Sequence, residues 1–202
     1  MLLVGPPGNG KTHTVKALVN QLGQPCLYVK ALKSEYETDE ENIRRVFARA
    51  RITTPCLLVL EDLDSLIDDG SRAFFLNELD GFAANTGVVV LATTNHPEKL
   101  DPAICERPSR FDRKYHFDLP GVLEREQYAA MWNQKLQVEL QLSDNATAAN
   151  WLRRPKASRM RYLKELFLSS MMQWMAKSGS VSMDKIVAGQ VEVLRKQISS
   201  KQ

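Results

Sequence analysis

Eight residues close to the N-terminus, Gly5-Pro6-Pro7-Gly8-Asn9-Gly10-Lys11-Thr12, fit the spacing G-x-x-x-x-G-K-[ST]. Glycines at those places let backbone N–H groups converge on phosphate oxygens, and the start of the helix that follows adds its dipole. In such a loop Lys11 contacts the β- and γ-phosphates of a nucleotide and the Thr12 hydroxyl is a Mg²⁺ ligand. A second chemical signal is the acidic end of an apolar run, Leu57-Leu58-Val59-Leu60-Glu61-Asp62-Leu63-Asp64. Taken alone it reads as a solvated acidic loop. Beside a phosphate loop, carboxylates at a strand's C-terminal edge are where Mg²⁺ and an attacking water need them. A third run, Val88-Val89-Val90-Leu91-Ala92-Thr93-Thr94-Asn95, ends in polar residues, and Asn95 is placed to hold a nucleophilic water against the γ-phosphate. After it comes Arg107-Pro108-Ser109-Arg110-Phe111-Asp112-Arg113. Surface arginines are usually just solvated, but this spacing suggests a charge clamp offered to a neighbouring subunit's phosphates.

These residues need a scaffold that brings strand ends together. Over residues 1–120 short apolar runs alternate with helical patterns, the mark of a parallel sheet with crossover helices. The expected strands are Leu2–Val4, Cys26–Lys30, Leu57–Glu61, Gly87–Thr93 and Lys114–Phe117, with little alternation, as when both sheet faces are covered. Val15, Leu18, Val19 and Leu22 mark a helix after the phosphate loop. Thr38-Asp39-Glu40-Glu41 reads as a capping box for the helix carrying Ile43, Val46 and Phe47, and Pro55 closes that helix. Pro120-Gly121 is the expected boundary, giving an α/β domain over 1–120 and an all-helical domain over 121–202. Helices are expected at 123–138, 144–152, 158–176 and 182–198, the last capped by Ser182. In the third of these, Leu163, Leu166, Phe167, Ser170 and Trp174 share a face. Met171, Met172, Trp174 and Met175 read as core packing or a helix–helix contact.

Composition agrees with this picture and excludes others. With 44% hydrophobic and 25% charged residues the chain is neither disordered nor fibrous. Its net charge of +3 does not mark a polyanion binder, yet the charge is uneven. Residues 1–120 carry 14 basic and 17 acidic side chains, residues 121–202 carry 13 and 7, which suggests two units with different surfaces. Cys26, Cys56 and Cys105 are far apart and lack metal-ligand spacing. No apolar stretch approaches the roughly 18 residues of a membrane span. Met1-Leu2-Leu3-Val4 runs straight into the phosphate loop, so no targeting signal is seen. A cytoplasmic or other reducing soluble compartment is the expectation.

The set of motifs resembles the AAA+ ATPases and, within them, the AAA branch. The resemblance covers about residues 1–177. It rests on the phosphate loop, Leu79-Asp80-Gly81-Phe82, Ala92-Thr93-Thr94-Asn95, Leu100-Asp101-Pro102-Ala103 and Arg110-Phe111-Asp112-Arg113. It implies a P-loop NTPase sheet followed by a small helical lid, with ATP or ADP and Mg²⁺ bound between them. Gly5, Pro6, Pro7, Gly8, Asn9, Gly10, Lys11 and Thr12 form Walker A, with His13 next to it, and Leu57–Asp62 is Walker B. Thr12 and Glu61 are then the metal residues, Asp62 polarises water and Asn95 is sensor 1. Arg110 and Arg113 match arginine fingers acting across a subunit interface. Arg161 stands where the AAA branch tends to have Ala and other AAA+ branches have a sensor 2 arginine; it is expected to approach the γ-phosphate from the lid or to lie on a solvated basic face. The partners implied are copies of the chain in a hexameric ring and a protein substrate or adaptor.

Several features depart from that pattern. The usual Asp-Glu of Walker B is Glu61-Asp62 here, an order similar to the Bcs-type branch, which translocates folded protein; the roles are expected to persist by position. Lys33-Ser34-Glu35-Tyr36-Glu37-Thr38 lies where unfoldases carry a threading loop, but Tyr36 is its only aromatic residue and no glycine follows, so it is a substrate grip or simply a solvated approach to a helix. An upstream segment usually covers the adenine, and its absence before Leu2 leads us to expect a shortened chain, an excised core or a misjudged start. Arg153, Arg154, Lys156, Arg159, Arg161 and Lys164 form a run of cations without an acid. The first expectation is therefore an ATP-hydrolysing core that remodels protein. The alternatives are a nucleotide-gated assembly module with little turnover, and a nucleic-acid-remodelling protein that uses the basic run.

Overall fold

The computed structural model describes residues 1–81, 84–105, 110–143, 160–177 and 181–199. The chain divides into two compact units, Met1–Asp118 and Leu119–Gln202. In the first, among the described residues, strands β1 (Leu2–Val4), β2 (Cys26–Val29), β3 (Cys56–Leu60), β4 (Val88–Thr94) and β5 (Lys114–His116) form one sheet in the order β2-β3-β4-β1-β5. Every pairing is parallel, with Leu58 facing Val90 and Leu27, and Leu3 facing Thr93 and Tyr115. Helices α1 (Lys11–Leu22), α2 (Asp39–Ile52), α3 (Leu63–Leu66), α4 (Arg72–Asp80) and α5 (Pro102–Cys105) join the strands. This is the expected α/β class.

Alternate side chains of a strand point to opposite faces, so a run apolar at every position builds two cores. Leu58 and Leu60 join Phe47 of α2 and Phe75 of α4 on one face. Leu57 and Val59 join Val15, Leu18 and Val19 of α1 on the other. The rings of Phe47 and Phe75 meet edge to face at 6.0 Å. Strand limits differ by a residue from expectation for local reasons. Gly87 has φ +82 and cannot start β4, which instead runs through Thr94. Strand β3 stops at Leu60 because the backbone turns left-handed at Asp62. Strands β2 and β5 each end one residue early, at Val29 and His116.

Helix α2 starts where its sequence says it should. Thr38 Oγ1 accepts from the Glu41 amide at 3.2 Å and the Glu41 carboxylate accepts from the Thr38 amide at 3.1 Å. Those bonds hold the Glu41 carboxyl below its ordinary range. Thr38→Ala should lower the unfolding free energy by about 1 kcal/mol in urea titrations at pH 7. A carboxylate with a depressed folded pKa stabilises above its unfolded pKa and loses that contribution as pH falls through the folded value. The deficit of the variant should therefore narrow below about pH 4.

The second unit contains α6 (Val122–Lys135), a 3₁₀ turn (Val138–Leu140), α7 (Met160–Ala176) and α8 (Met183–Ser199). The helix expected over 123–138 ends at Lys135 because Leu136 is extended. The one expected over 144–152 lies outside the described residues. The Ile186 amide donates to the Ser182 carbonyl, so α8 starts beside Ser182. Leu163, Leu166 and Phe167 of α7 pack with Ala129 of α6 and with Val187 and Val191 of α8. Trp132 stacks on Phe167 at 5.7 Å. Met171 and Trp174 lie against this core, but Met172 and Met175 do not: they are 72% and 69% exposed. Among the described residues no helix is long and apolar enough to cross a membrane.

Candidate functional site

The loop from β1 into α1 is shaped by its glycines. Gly5, Gly8 and Gly10 all have positive φ, at 148, 83 and 102°. At Gly5 a Cβ would lie 2.3 Å from the Phe117 carbonyl oxygen, so the β1 end can pass the β5 end only without a side chain. The Asn9 side-chain amide donates to the Phe117 and Asp118 carbonyls at 3.2 and 2.9 Å and ties the loop to the same strand end. Thr12 and His13 are exposed on the first turn of α1, Pro7 is exposed and Pro6 is half-buried. The helix is 12 residues long, so its first-turn amides and its dipole are available to an anion.

Lys11 is 6% exposed and its ammonium folds back over the loop. It donates to the Gly5 carbonyl, to the Pro6 carbonyl at 3.0 Å and to Asn95 Oδ1 at 2.7 Å. Burial lowers its pKa, while the nearby Asp62 and Asp64 carboxylates oppose that shift. Asn95 also donates through Nδ2 to Asp62 Oδ1 at 2.7 Å. Lysine can only donate and a carboxylate accepts, so the two contacts fix the orientation of the Asn95 amide. The structure thus brings Lys11, Asn95 and Asp62 into one continuous bridge from the phosphate loop to the end of β3.

Asp62 has φ 52 and ψ 55, and among the described residues it is the only one besides glycine with positive φ. Asp and Asn tolerate this region far better than longer side chains. Its amide donates to Thr93 Oγ1 at 3.1 Å, and Thr94 Oγ1 donates to Asp64 Oδ1 at 2.7 Å. The two buried β4 threonines therefore fasten the acidic turn, a role the sequence analysis did not give them. Glu61 turns elsewhere: its Oε2 accepts from the Tyr28 hydroxyl on β2, and the carboxylate pushes the phenol up to about 12. Tyr28, Lys30, Lys33, Glu61, Asp62 and Ser65 line a cavity of about 360 Å³ at these strand ends.

The two arginines after β4 are separated. Arg110 is not offered outward, as a finger would be: its side chain is 5% exposed. It forks onto Asp80 at the end of α4, through Nε and Nη2 at 2.8 and 2.7 Å, and donates to the Ala103 carbonyl at 2.6 Å. Arg113 is exposed. Arg161 lies in the second unit, its guanidinium 4.8 Å above the Tyr162 ring. Tyr36 is 92% exposed between β2 and α2. Arg107, Arg153, Arg154, Lys156 and Arg159 lie outside the described residues.

A metal would find two kinds of donor here. Glu61 Oε1 is buried with no hydrogen-bond partner among the described residues, and Thr12 carries an exposed hydroxyl. One carboxylate and one hydroxyl, completed by phosphate oxygens and water, suit Mg²⁺, which rarely uses an all-protein cage.

Residues 1–119 match the family described as "ATPase family associated with various cellular activities (AAA)". The chain is similar to the ATP-dependent zinc metalloprotease FtsH of Ureaplasma parvum, at 34% identity over 72% of the chain and 22% of the relative. It is also similar to the ATP-dependent zinc metalloprotease FTSH 6, chloroplastic, of Arabidopsis thaliana, at 34% over 63% of the chain and 21% of the relative. A third relative, the ATP-dependent zinc metalloprotease FtsH 2 of Sorangium cellulosum, is 33% identical over 74% of the chain and 27% of its own length. The chain thus spans about a quarter, or less, of the curated relatives it matches.

Proposed function

The chain belongs to the AAA family of ATPases, and from that premise we propose that its first unit binds ATP on the Gly5–Thr12 loop and hydrolyses it to ADP and phosphate. The observation that carries this is the Lys11–Asn95–Asp62 bridge, which joins the phosphate loop to a carboxylate able to take a proton from water. Bound phosphate replaces the Gly5 and Pro6 carbonyls and Asn95 Oδ1 on the Lys11 ammonium, a charge-assisted exchange. Asn95, no longer held by lysine, keeps Asp62 in place and orients the attacking water. Asp62 accepts the proton as the water oxygen closes on the γ-phosphorus. Mg²⁺, held by Thr12 and Glu61, would supply charge neutralisation on the β- and γ-phosphates.

Charge on the transferring phosphoryl group needs a further cation. Arg113 is exposed and is assigned as the finger given to a neighbouring copy. Arg110, spent on Asp80 and Ala103, instead positions the loop that carries Arg113. Fingers in trans require an assembly, and a hexameric ring acting on a protein substrate is the form we propose. One observation favours the slower alternative, a nucleotide-gated assembly module: Arg110 cannot reach a neighbour without breaking its fork. Fluorescent ATP-analogue titration tests the binding step. The wild-type chain should bind, and Lys11→Ala should bind roughly 100-fold more weakly, as for loss of a buried charged hydrogen-bonding partner. Equal affinities would refute this assignment of the loop.

A further inference from the structure

Glu61 occupies the place where the AAA pattern has Asp, and its side chain is one methylene longer. An extra methylene adds a rotatable bond, so the carboxylate has more positions to choose from and more entropy to lose when fixed. The structure shows what selects among them. Tyr28 is in register with Val59 on the neighbouring strand, and strand alternation puts Tyr28, Val59 and Glu61 on the same face of the sheet. The Tyr28 hydroxyl donates to Glu61 Oε2, while Oε1 stays buried and without a hydrogen-bond partner among the described residues. The phenol ring is itself held, with the Lys30 ammonium 5.8 Å from its centroid. The turn at Asp62 fixes the other end of the pair, since its left-handed backbone favours Asp over Glu at that place.

We infer that Tyr28 is the positioning residue for Glu61, engaging Oε2 so that Oε1 is the oxygen left for the Mg²⁺ that accompanies ATP. The Glu-Asp order is then matched to its surroundings: the hydroxyl on β2 accommodates the longer carboxylate, and the strained turn accommodates the shorter one. Hydrogen-bond partners of metal ligands commonly set metal affinity by about tenfold or more. The inference rests on the nucleotide-site assignment above, and its test keeps the two apart.

The test compares the full chain with Tyr28→Phe, Glu61→Ala and the double variant. ATP-analogue binding is measured in EDTA and over a Mg²⁺ titration, alongside Mn²⁺ binding to the nucleotide complex followed by electron paramagnetic resonance. Tyr28→Phe should raise the half-saturating metal concentration about tenfold and leave binding in EDTA unchanged. In the Glu61→Ala background, which has no carboxylate for the hydroxyl to engage, the same substitution should shift nothing. An unchanged metal requirement in Tyr28→Phe overturns the inference. So does an equal shift in both backgrounds, which would mean that Tyr28 acts other than through Glu61. Binding that depends on Lys11 in EDTA but is indifferent to Tyr28 in metal removes this inference alone. A wild-type chain that binds no ATP under either condition removes both.

Discussion

Asp62→Asn is expected to reduce ATP turnover by about 10²–10⁴-fold, the usual span for loss of a general base, with nucleotide affinity changed by no more than a few-fold. The substitution isolates one property. Asn also tolerates the left-handed backbone at this position, where φ is 52, so the turn into α3 should survive. Its side chain still has an oxygen to accept from Asn95 Nδ2. What it lacks is the charge and the capacity to take a proton from water. Lys11 loses one of the two carboxylates that oppose its lowered pKa, but Asp64 remains. Steady-state phosphate release and analogue titration on the same preparation separate the two effects. Unchanged turnover would show that Asp62 is not the base and that its αL turn is only architecture.

Arg113→Ala should lower turnover by about 10³-fold or more, the scale on which arginine fingers act, without altering thermal stability. Arg110→Ala should behave differently. Removing its fork breaks the contact between the post-β4 loop and α4, at a cost of about 2 kcal/mol in unfolding free energy. Any loss of turnover should follow from misplacement of Arg113. Because a finger acts in trans, mixing Arg113→Ala with Asp62→Asn subunits should recover part of the activity. Each mixed interface of one orientation joins an intact Arg113 to an intact Asp62. No recovery, with assembly confirmed by light scattering, would place the Arg113 effect within its own subunit.

The phosphate loop and the sheet were legible because each depends on local pattern. Val15, Leu18 and Val19 recur at helical spacing, the glycines fall where the backbone must turn, and the apolar strands need no alternation when both faces are covered. The cap at Thr38 was equally local. Other features depend on partners distant in sequence. Arg110 looks like a free cation until α4 brings Asp80 to it, 30 residues away. Tyr28 and Glu61 are 33 apart, and only the parallel register of β2 and β3 shows that they meet. Thr93 and Thr94 read as the tail of an apolar strand, and their hydroxyl bonds to Asp62 and Asp64 appear only in three dimensions. Met172 and Met175 are exposed and not part of the core, and residue type alone does not say which side of α7 meets Ala129 and Val187.

The most direct test of ATP hydrolysis at the Gly5–Thr12 loop is Mg²⁺-dependent phosphate release per subunit over a hundredfold range of protein concentration, with Lys11→Ala as the control. Turnover per subunit that rises with concentration and vanishes in the control is the predicted result, as follows from the proposal that a neighbouring copy's Arg113 completes the site. Tight ATP binding with no turnover at any concentration would contradict it and leave a nucleotide-gated assembly module in its place.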